Sequence, residues 1–512
     1  MKLDIQRVES AFEGLTFGAL GPYEKVVGRA HGQVDPHHPL NVDIVNLDKA
    51  PRNTSGLVEY AVDFCILKPV DMSKSNRRIL YDAPNRGDKL ALVDLNESVK
   101  GLGSNELGSA EDAGNGFLMR QGYVVVFSAW DGAVAPGVGY VEHASGHLLA
   151  DFPIATNDGA TIVETCREEI ICAHTDGQAQ APLAYPAHEP DRGSATLTVR
   201  QHEPDARVVV PRDRWRFVSN REIEIDLIEG FDAGAIYELI YAACDPIVMG
   251  LGLIGVRDLL GFLRYENADN EGRPNPLNID GQIGVDYSIA HGRSQPGRFL
   301  REFLRLGFNE DMSGRPVFDG LYITLTGSRG MFLNQPFSQP GRFPRHHEDH
   351  LYPGDQFPFS YSTKTDSISG KTGGILARCL ANNVCPKVMH VDSSTEFWQG
   401  RSSLVVTDEL GNEIEQPDEV RTYLLSGSGH AGPQMLAHAP MYWSPSLNPV
   451  NELDYCALVR ALIVALDEWA TQGTEPPPSH YPSVTDGTLV SPEHLNFPDI
   501  PGVTYSGAIN TL

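Results

Sequence analysis

Ser294 stands between Gly292 and Gly297 in "AHGRSQPGRF", residues 290–299. Upstream the residues alternate as in a strand; downstream Phe299, Leu300, Phe303, Leu304 and Leu306 recur like the buried face of a helix. A serine on so sharp a corner can serve as a nucleophile. The glycine two residues before it relieves the steric conflict of the turn, and the later one lets the helix pack closely on the strand. The usual G-x-S-x-G pattern has its second glycine where this chain has Pro296. Proline suits a first helical turn, because its missing N–H would be unpaired there anyway, although it pushes Gln295 away from helical angles. The plainer alternative is that Ser294 caps the helix.

A serine hydroxyl attacks a carbonyl only when an imidazole takes its proton and a carboxylate orients that imidazole. Downstream, "VRTYLLSGSGH" reads as a strand that breaks at Gly427 and Gly429 and delivers His430, the candidate base. The preceding strand, "KVMHVDSSTEFW", offers two acids. Asp392 follows the strand's alternation, whereas Glu396 falls in the loop just beyond; Glu396 is preferred and Asp392 is the alternative acid. The developing oxyanion needs two N–H donors. Gln295, directly after the serine, is one; Arg86 or Gly87, in "NRGDK" after the strand "RRILYDAP", is the other. This chemistry calls for no metal and no organic cofactor.

These residues need a scaffold of strands ending at one edge. "RRILYDAP" and "YVVVFSAW" are compact β-branched and aromatic runs of the kind buried inside a parallel sheet. The first 70 residues read as short strands. Residues 131–240 change to alternating strands such as "SATLTVRQ", "ARVVVP" and "EIEIDLIEGF", a β-rich insertion. Strand and helix alternate again to the end, closing with the helix "YCALVRALIVALDEWA". The expected organisation is residues 1–130 as the N-terminal strands and first half of an α/β core, 131–240 as the insertion, and 241–512 as the second half. Within the last, residues 331–370 form a cap segment. Its aromatics, Phe332, Phe337, Phe343, Tyr352, Phe357, Phe359 and Tyr361, would favour an apolar or aromatic acyl or alcohol group.

The segments "FEGLTFGALGPYEKVVGRAHGQVDP", "YDAPNRGDK", "GLGLIGVRDLLGFL", "GRSQPGRFLREFLRLGFNED", "DSSTEFW" and "VRTYLLSGSGH" together resemble a bacterial family of large α/β-hydrolase-domain proteins over nearly the whole chain. The resemblance implies the α/β-hydrolase fold, a mostly parallel sheet with helices on both faces. It also implies a serine esterase with Ser294, Glu396 and His430 as its triad. Feruloyl esterases and tannases carry cysteines beside both nucleophile and histidine; Arg293 and Ala431 stand there in this chain, so that substrate class is not assigned. The expected reaction is hydrolysis of a small-molecule carboxylic ester or lactone through an acyl-enzyme. Amide hydrolysis or acyl transfer would use the same groups, and a non-catalytic binding protein would use the same cleft.

Composition narrows the alternatives. The 512 residues carry 67 acidic and 40 basic side chains, a formal charge of -27, which disfavours nucleic acid and anionic membrane surfaces as partners. The charged start and the lack of a long apolar run point to a cytoplasmic protein. Seven cysteines, an odd number, fit reduced thiols, with a Cys379–Cys385 pair left open. "GLGLIG" at Gly250–Gly255 has dinucleotide-loop spacing, but the segment before it, "YAACDPIVM", does not read as a buried strand. "SISGKTGG" lacks the first glycine of a phosphate loop, and "RHHEDH" (Arg345 to His350) lacks the glutamate of a zinc-protease helix.

Overall fold

The computed structural model describes residues 1–98, 105–134, 146–172, 174–190, 194–202, 204–340, 356–432, 451, 453–505, 507 and 509. Nine strands build the main sheet: β1 (Lys2–Ser10), β2 (Tyr23–Val34), β3 (Val58–Pro69), β4 (Arg78–Asp82), β5 (Val124–Ser128), β6 (Tyr287–Arg293), β7 (Gly320–Thr324), β8 (Lys387–Ser393) and β9 (Val420–Leu425). Their order is β1-β2-β3-β5-β4-β6-β7-β8-β9, and the short strand Ala150–Asp151 adds to β3.

The sheet is mixed. Every pairing from β5 across to β9 is parallel, and every pairing from β1 to β5 is antiparallel. Parallel pairings outnumber antiparallel ones along that order, five to three, so the expectation of a mostly parallel sheet describes β4 to β9 and not the N-terminal strands β1 to β3. The N-terminal strands are also long, β2 and β3 each spanning 12 residues, where the sequence suggested short ones. Strands β5 and β7 are buried at every residue, as their unbroken apolar runs require between two helical layers.

Those layers can be told apart by the two-residue alternation of a strand. Helix α4 (Gln295–Arg305) packs on β6 and β7, and its Leu300 lies against Gly292. Helix α7 (Cys456–Gln472) packs on β7 and β8 and sets Leu466 and Ala470 against Gly320. On that same side Tyr322 stacks on His291, with ring centres 5.9 Å apart. The buried positions of α7, Val459, Leu462, Ile463, Leu466 and Trp469, keep helical spacing. Each such side chain contributes about 1.5–3 kcal/mol when fully buried. Gly473 at φ 73° stops the helix in the left-handed conformation that glycine tolerates best.

Residues 163–244 form two further antiparallel sheets. One joins Val163–Ile171, Ile236–Cys244, Thr196–Arg200 and Val208–Val209; the other joins Gln178–Pro182, Glu222–Asp226 and Trp215–Ser219. Of "YAACDPIVM", the segment before "GLGLIG", only Tyr241–Cys244 is strand, and it pairs antiparallel with Val163–Ile171 rather than within a parallel sheet. Helix α3 (Leu251–Tyr265), which follows it, packs on the antiparallel strands β2 and β3. Its Gly252 lets the helix pass close to the chain just beyond β5, because a Cβ there would lie 2.0 Å from the Trp130 carbonyl oxygen. "SISGKTGG" supplies the turn and second strand of a small hairpin, Lys364–Thr365 with Thr372–Gly373. All seven cysteines are free thiols, Cys379 and Cys385 included. Among the described residues no helix is long and apolar enough to cross a membrane.

Candidate active site

Ser294 follows the last residue of β6 and precedes the first of α4, so strand becomes helix across a single residue. Its backbone lies at φ 61° and ψ -119°, a conformation that costs an L-residue about 1–3 kcal/mol. Ser294 N–H still donates to the Thr324 carbonyl at 2.8 Å, and Ser294 C=O accepts the first helical bond from Arg298 N–H at 3.0 Å. The two glycines have the tasks assigned to them. A Cβ on Gly292 would lie 2.7 Å from Leu300 Cδ1 and 2.8 Å from the Pro296 carbonyl oxygen, and one on Gly297 would lie 2.5 Å from Thr326 Cγ2. Although Ser294 occupies the cap position, its side chain makes no capping hydrogen bond. The helix-cap alternative is thereby set aside.

The residues expected as acid and base meet directly. Glu396 Oε1 is 2.5 Å from His430 Nδ1, and Ser393 Oγ donates to Glu396 Oε2. Glu396 is buried in the first turn of a short helix, α6 (Ser394–Gln399), rather than in a loop as expected. Ser393 caps that helix by accepting from Thr395 N–H at 3.1 Å. Thr395 Oγ1 in turn accepts from His430 N–H at 3.2 Å, so α6 grips the histidine by backbone and ring.

Asp392 is occupied elsewhere. Inside β8 and fully buried, it is 2.8 Å from His390 Nε2 and accepts from Thr326 N–H, Gly327 N–H and Tyr481 O–H at 3.1, 2.9 and 2.8 Å. Burial alone would raise its pKa, but His390 and these donors outweigh it and hold the carboxyl far below the usual range. With its lone pairs taken, Asp392 orders the β7–β8 edge and leaves His430 to Glu396.

The two sides of the expected oxyanion site also touch. Arg86 Nε is 3.4 Å from Gln295 Oε1, and Gln295 Nε2 donates to the Pro340 carbonyl. The loop carrying Arg86 and Gly87 is closed by paired backbone bonds between Asn85 and Asp88, at 2.8 and 3.0 Å. Both Arg86, at φ 54°, and Gly87, at φ 87°, are left-handed. A Cβ on Gly87 would lie 2.9 Å from the Leu148 carbonyl oxygen. Gln295 opens α4, where the first N–H groups have no intrahelical acceptor and point out of the helix end.

Ser294 is tied to the His430 loop through its neighbour: Arg293 Nη2 donates to the His430 carbonyl at 2.7 Å. Among the described residues no group hydrogen-bonds with Ser294 Oγ, His430 included. Such bonds commonly tighten only when substrate is present. Beneath the corner lies a set of buried charges that the sequence reading passed over. His291 Nδ1 is 2.7 Å from Asp82 Oδ1, His291 Nε2 is 3.6 Å from Asp94 Oδ2, and Arg293 Nη1 pairs with Asp94. Burial would lower the His291 pKa, but the bond to Asp82 together with the charges of Asp82 and Asp94 outweighs it, and the net shift is upward. The available signal was a histidine and an arginine inside an otherwise apolar strand.

The cap segment is described only in part, residues 341–355 falling outside. Phe332, Phe337 and Tyr361 are buried, Phe337 edge-on to Tyr185 with ring centres 5.0 Å apart. Phe343, Tyr352 and "RHHEDH" lie outside the described residues. Glu97, Asp454 and Cys456 bring ligand-type atoms within 4.8 Å of one another. The Glu97 carboxylate is already taken by Arg460 at 2.8 Å and Asn115 at 3.0 Å, so the group does not read as a metal centre.

A family model described as an alpha/beta hydrolase domain matches residues 194–497. That span holds Ser294, Gln295, Glu396 and His430 and begins after the loop of Arg86 and Gly87. No curated protein and no solved structure matches the chain.

Proposed function

Because this chain belongs to the family of alpha/beta hydrolase domain proteins, we propose that it is a serine hydrolase cleaving a small-molecule carboxylic ester or lactone. Ser294 Oγ attacks the carbonyl carbon while His430 Nε2 takes its proton. Glu396, on Nδ1, fixes the tautomer and stabilises the imidazolium. The oxyanion forms where the N–H of Gln295 and that of Arg86 or Gly87 converge. Collapse of this intermediate breaks the bond to the alkoxy oxygen, which leaves with the proton held by His430. Water, deprotonated by the same imidazole, then attacks the acyl-enzyme and releases the acid.

The observation that carries this reading is the 2.5 Å contact of Glu396 with His430, on a loop bonded to the residue next to a strained, non-capping serine. A serine that merely ended a strand would need neither the backbone strain nor a buried acid–imidazole pair nearby. The test is hydrolysis of a panel of p-nitrophenyl esters of varied chain length and aromaticity by wild type and Ser294→Ala. The expected loss on Ser294→Ala is at least ~10³-fold in kcat. A folded Ser294→Ala that hydrolyses esters as fast as wild type would remove the reading. Inertness of the wild type towards esters, amides and acyl acceptors alike would favour a binding role.

A further inference from the structure

We propose that Arg293 is a positioning residue, tying the loop that carries His430 to the strand that carries Ser294, with Asp94 as its anchor. The proposal rests on the serine-hydrolase reading above. Arg293 ends β6 and is only 5% exposed. Its Nη2 donates to the His430 carbonyl at 2.7 Å and to Tyr455 Oη at 3.2 Å, while Nη1 is held by Asp94, from the short helix after β4. The planar guanidinium presents several donors in a fixed fork, which a buried lysine could not reproduce.

Arg293 lines a cavity together with His291, Asp94, Gly432, Tyr455 and Val459, so side-chain packing around this bridge is incomplete. Among the described residues, Glu396 on the ring and Thr395 on the N–H, both from α6, hold His430. Arg293, on the carbonyl, ties the same residue to the position next to the nucleophile. Tyr455 O–H, 3.4 Å from the same carbonyl, is a weaker auxiliary.

Losing Arg293 should therefore leave the acid–base pair intact but set it wrongly against the serine, an error that appears in kcat rather than in KM. The experiment compares wild type, Arg293→Met, Arg293→Lys, Tyr455→Phe and the double variant Arg293→Met with Asp94→Asn, per mole of protein shown to be folded by circular dichroism. The double variant removes both charges, so no carboxylate is left buried and unpaired. Both methionine variants should lose on the order of 10²-fold in kcat with KM within ~3-fold of wild type. Tyr455→Phe should lose less than ~5-fold, and Arg293→Lys should fall between. The proposal is overturned if the folded double variant keeps kcat within ~3-fold of wild type, or if KM rises while kcat holds. If neither methionine variant folds, Arg293→Lys decides by the same two criteria. A wild type that a fluorophosphonate does not label at Ser294 would instead sink the hydrolase reading. A labelled wild type with unimpaired Arg293 variants sinks the positioning role alone.

Discussion

Replacing Glu396 by glutamine removes one charge and little volume, and so isolates the acid's electrostatic work. When His430 becomes an imidazolium, the carboxylate 2.5 Å from its Nδ1 faces a full positive charge. With charge centres roughly 4 Å apart and an effective dielectric constant of about 20, that attraction is worth about 4 kcal/mol. At 1.36 kcal/mol per tenfold, kcat should fall by about 10³. Glutamine can still turn its carbonyl oxygen to Nδ1–H, so the ring orientation survives and the loss is mainly one of charge. KM should change little, because Glu396 acts through the imidazole and not on the substrate. The assay is ester hydrolysis at saturating substrate, with Asp392→Asn in parallel. Asp392 holds His390 and two backbone N–H groups, so its replacement should lower stability by about 3 kcal/mol and leave kcat per folded enzyme within ~10-fold of wild type. A folded Glu396→Gln losing less than ~10-fold, or an Asp392→Asn losing more than Glu396→Gln, would refute the assignment of the acid.

Three further outcomes follow from the geometry. Ser294→Ala keeps the φ 61° strain whereas Ser294→Gly relieves it, so the glycine variant should be more stable by about 1 kcal/mol in chemical denaturation; equal stabilities would mean the corner is unstrained. Gly297→Ala would place a Cβ 2.5 Å from Thr326 Cγ2, and an overpacking cost of about 1–3 kcal/mol should come with lost activity; an unchanged enzyme contradicts the close helix–strand packing. Asp131 is buried, which pushes its pKa up to about 6 from 3.8, against the opposing pull of Ala133 N–H and Arg86. Its charged form is thus disfavoured in the fold, and stability present below the unfolded value is lost as pH rises through about 6. The gap is worth about 3 kcal/mol, so Asp131→Asn should raise the melting temperature relative to wild type at pH 8 more than at pH 4. An equal shift at both pH values would contradict this.

The corner at Ser294 was legible because it is local: two glycines, a proline and a change of periodicity all lie within a dozen residues. The strands ending at Asp82 and Ser128 were legible as compact apolar runs, and those ending at Ser393 and Leu425 from the pattern of the residues that follow them. What the sequence hid was non-local. The antiparallel half of the sheet could not be read from β1, β2 and β3, because strand direction depends on which neighbour a strand finds. Glu396, and not Asp392, contacts His430, but the short helix that carries it was not legible; six residues are too few for a periodic signal, and only the cap at Ser393 announces them. The roles of Arg293 and Asp94 depend on a contact between residues 199 positions apart, which composition and periodicity do not encode. Similarly, Phe332, Phe337 and Tyr361 carry the same aromatic signal whether they line a cleft or pack in the core, and burial alone separates the two.

The central claim is that folding makes one hydroxyl nucleophilic, and intact-mass and peptide mass spectrometry after treatment with a fluorophosphonate test it most directly. A single adduct on Ser294 is expected, absent from Ser294→Ala and formed at least ~10²-fold more slowly in a folded His430→Ala. A folded wild type that stays unmodified, or that is modified at another residue while Ser294 remains free, would contradict it.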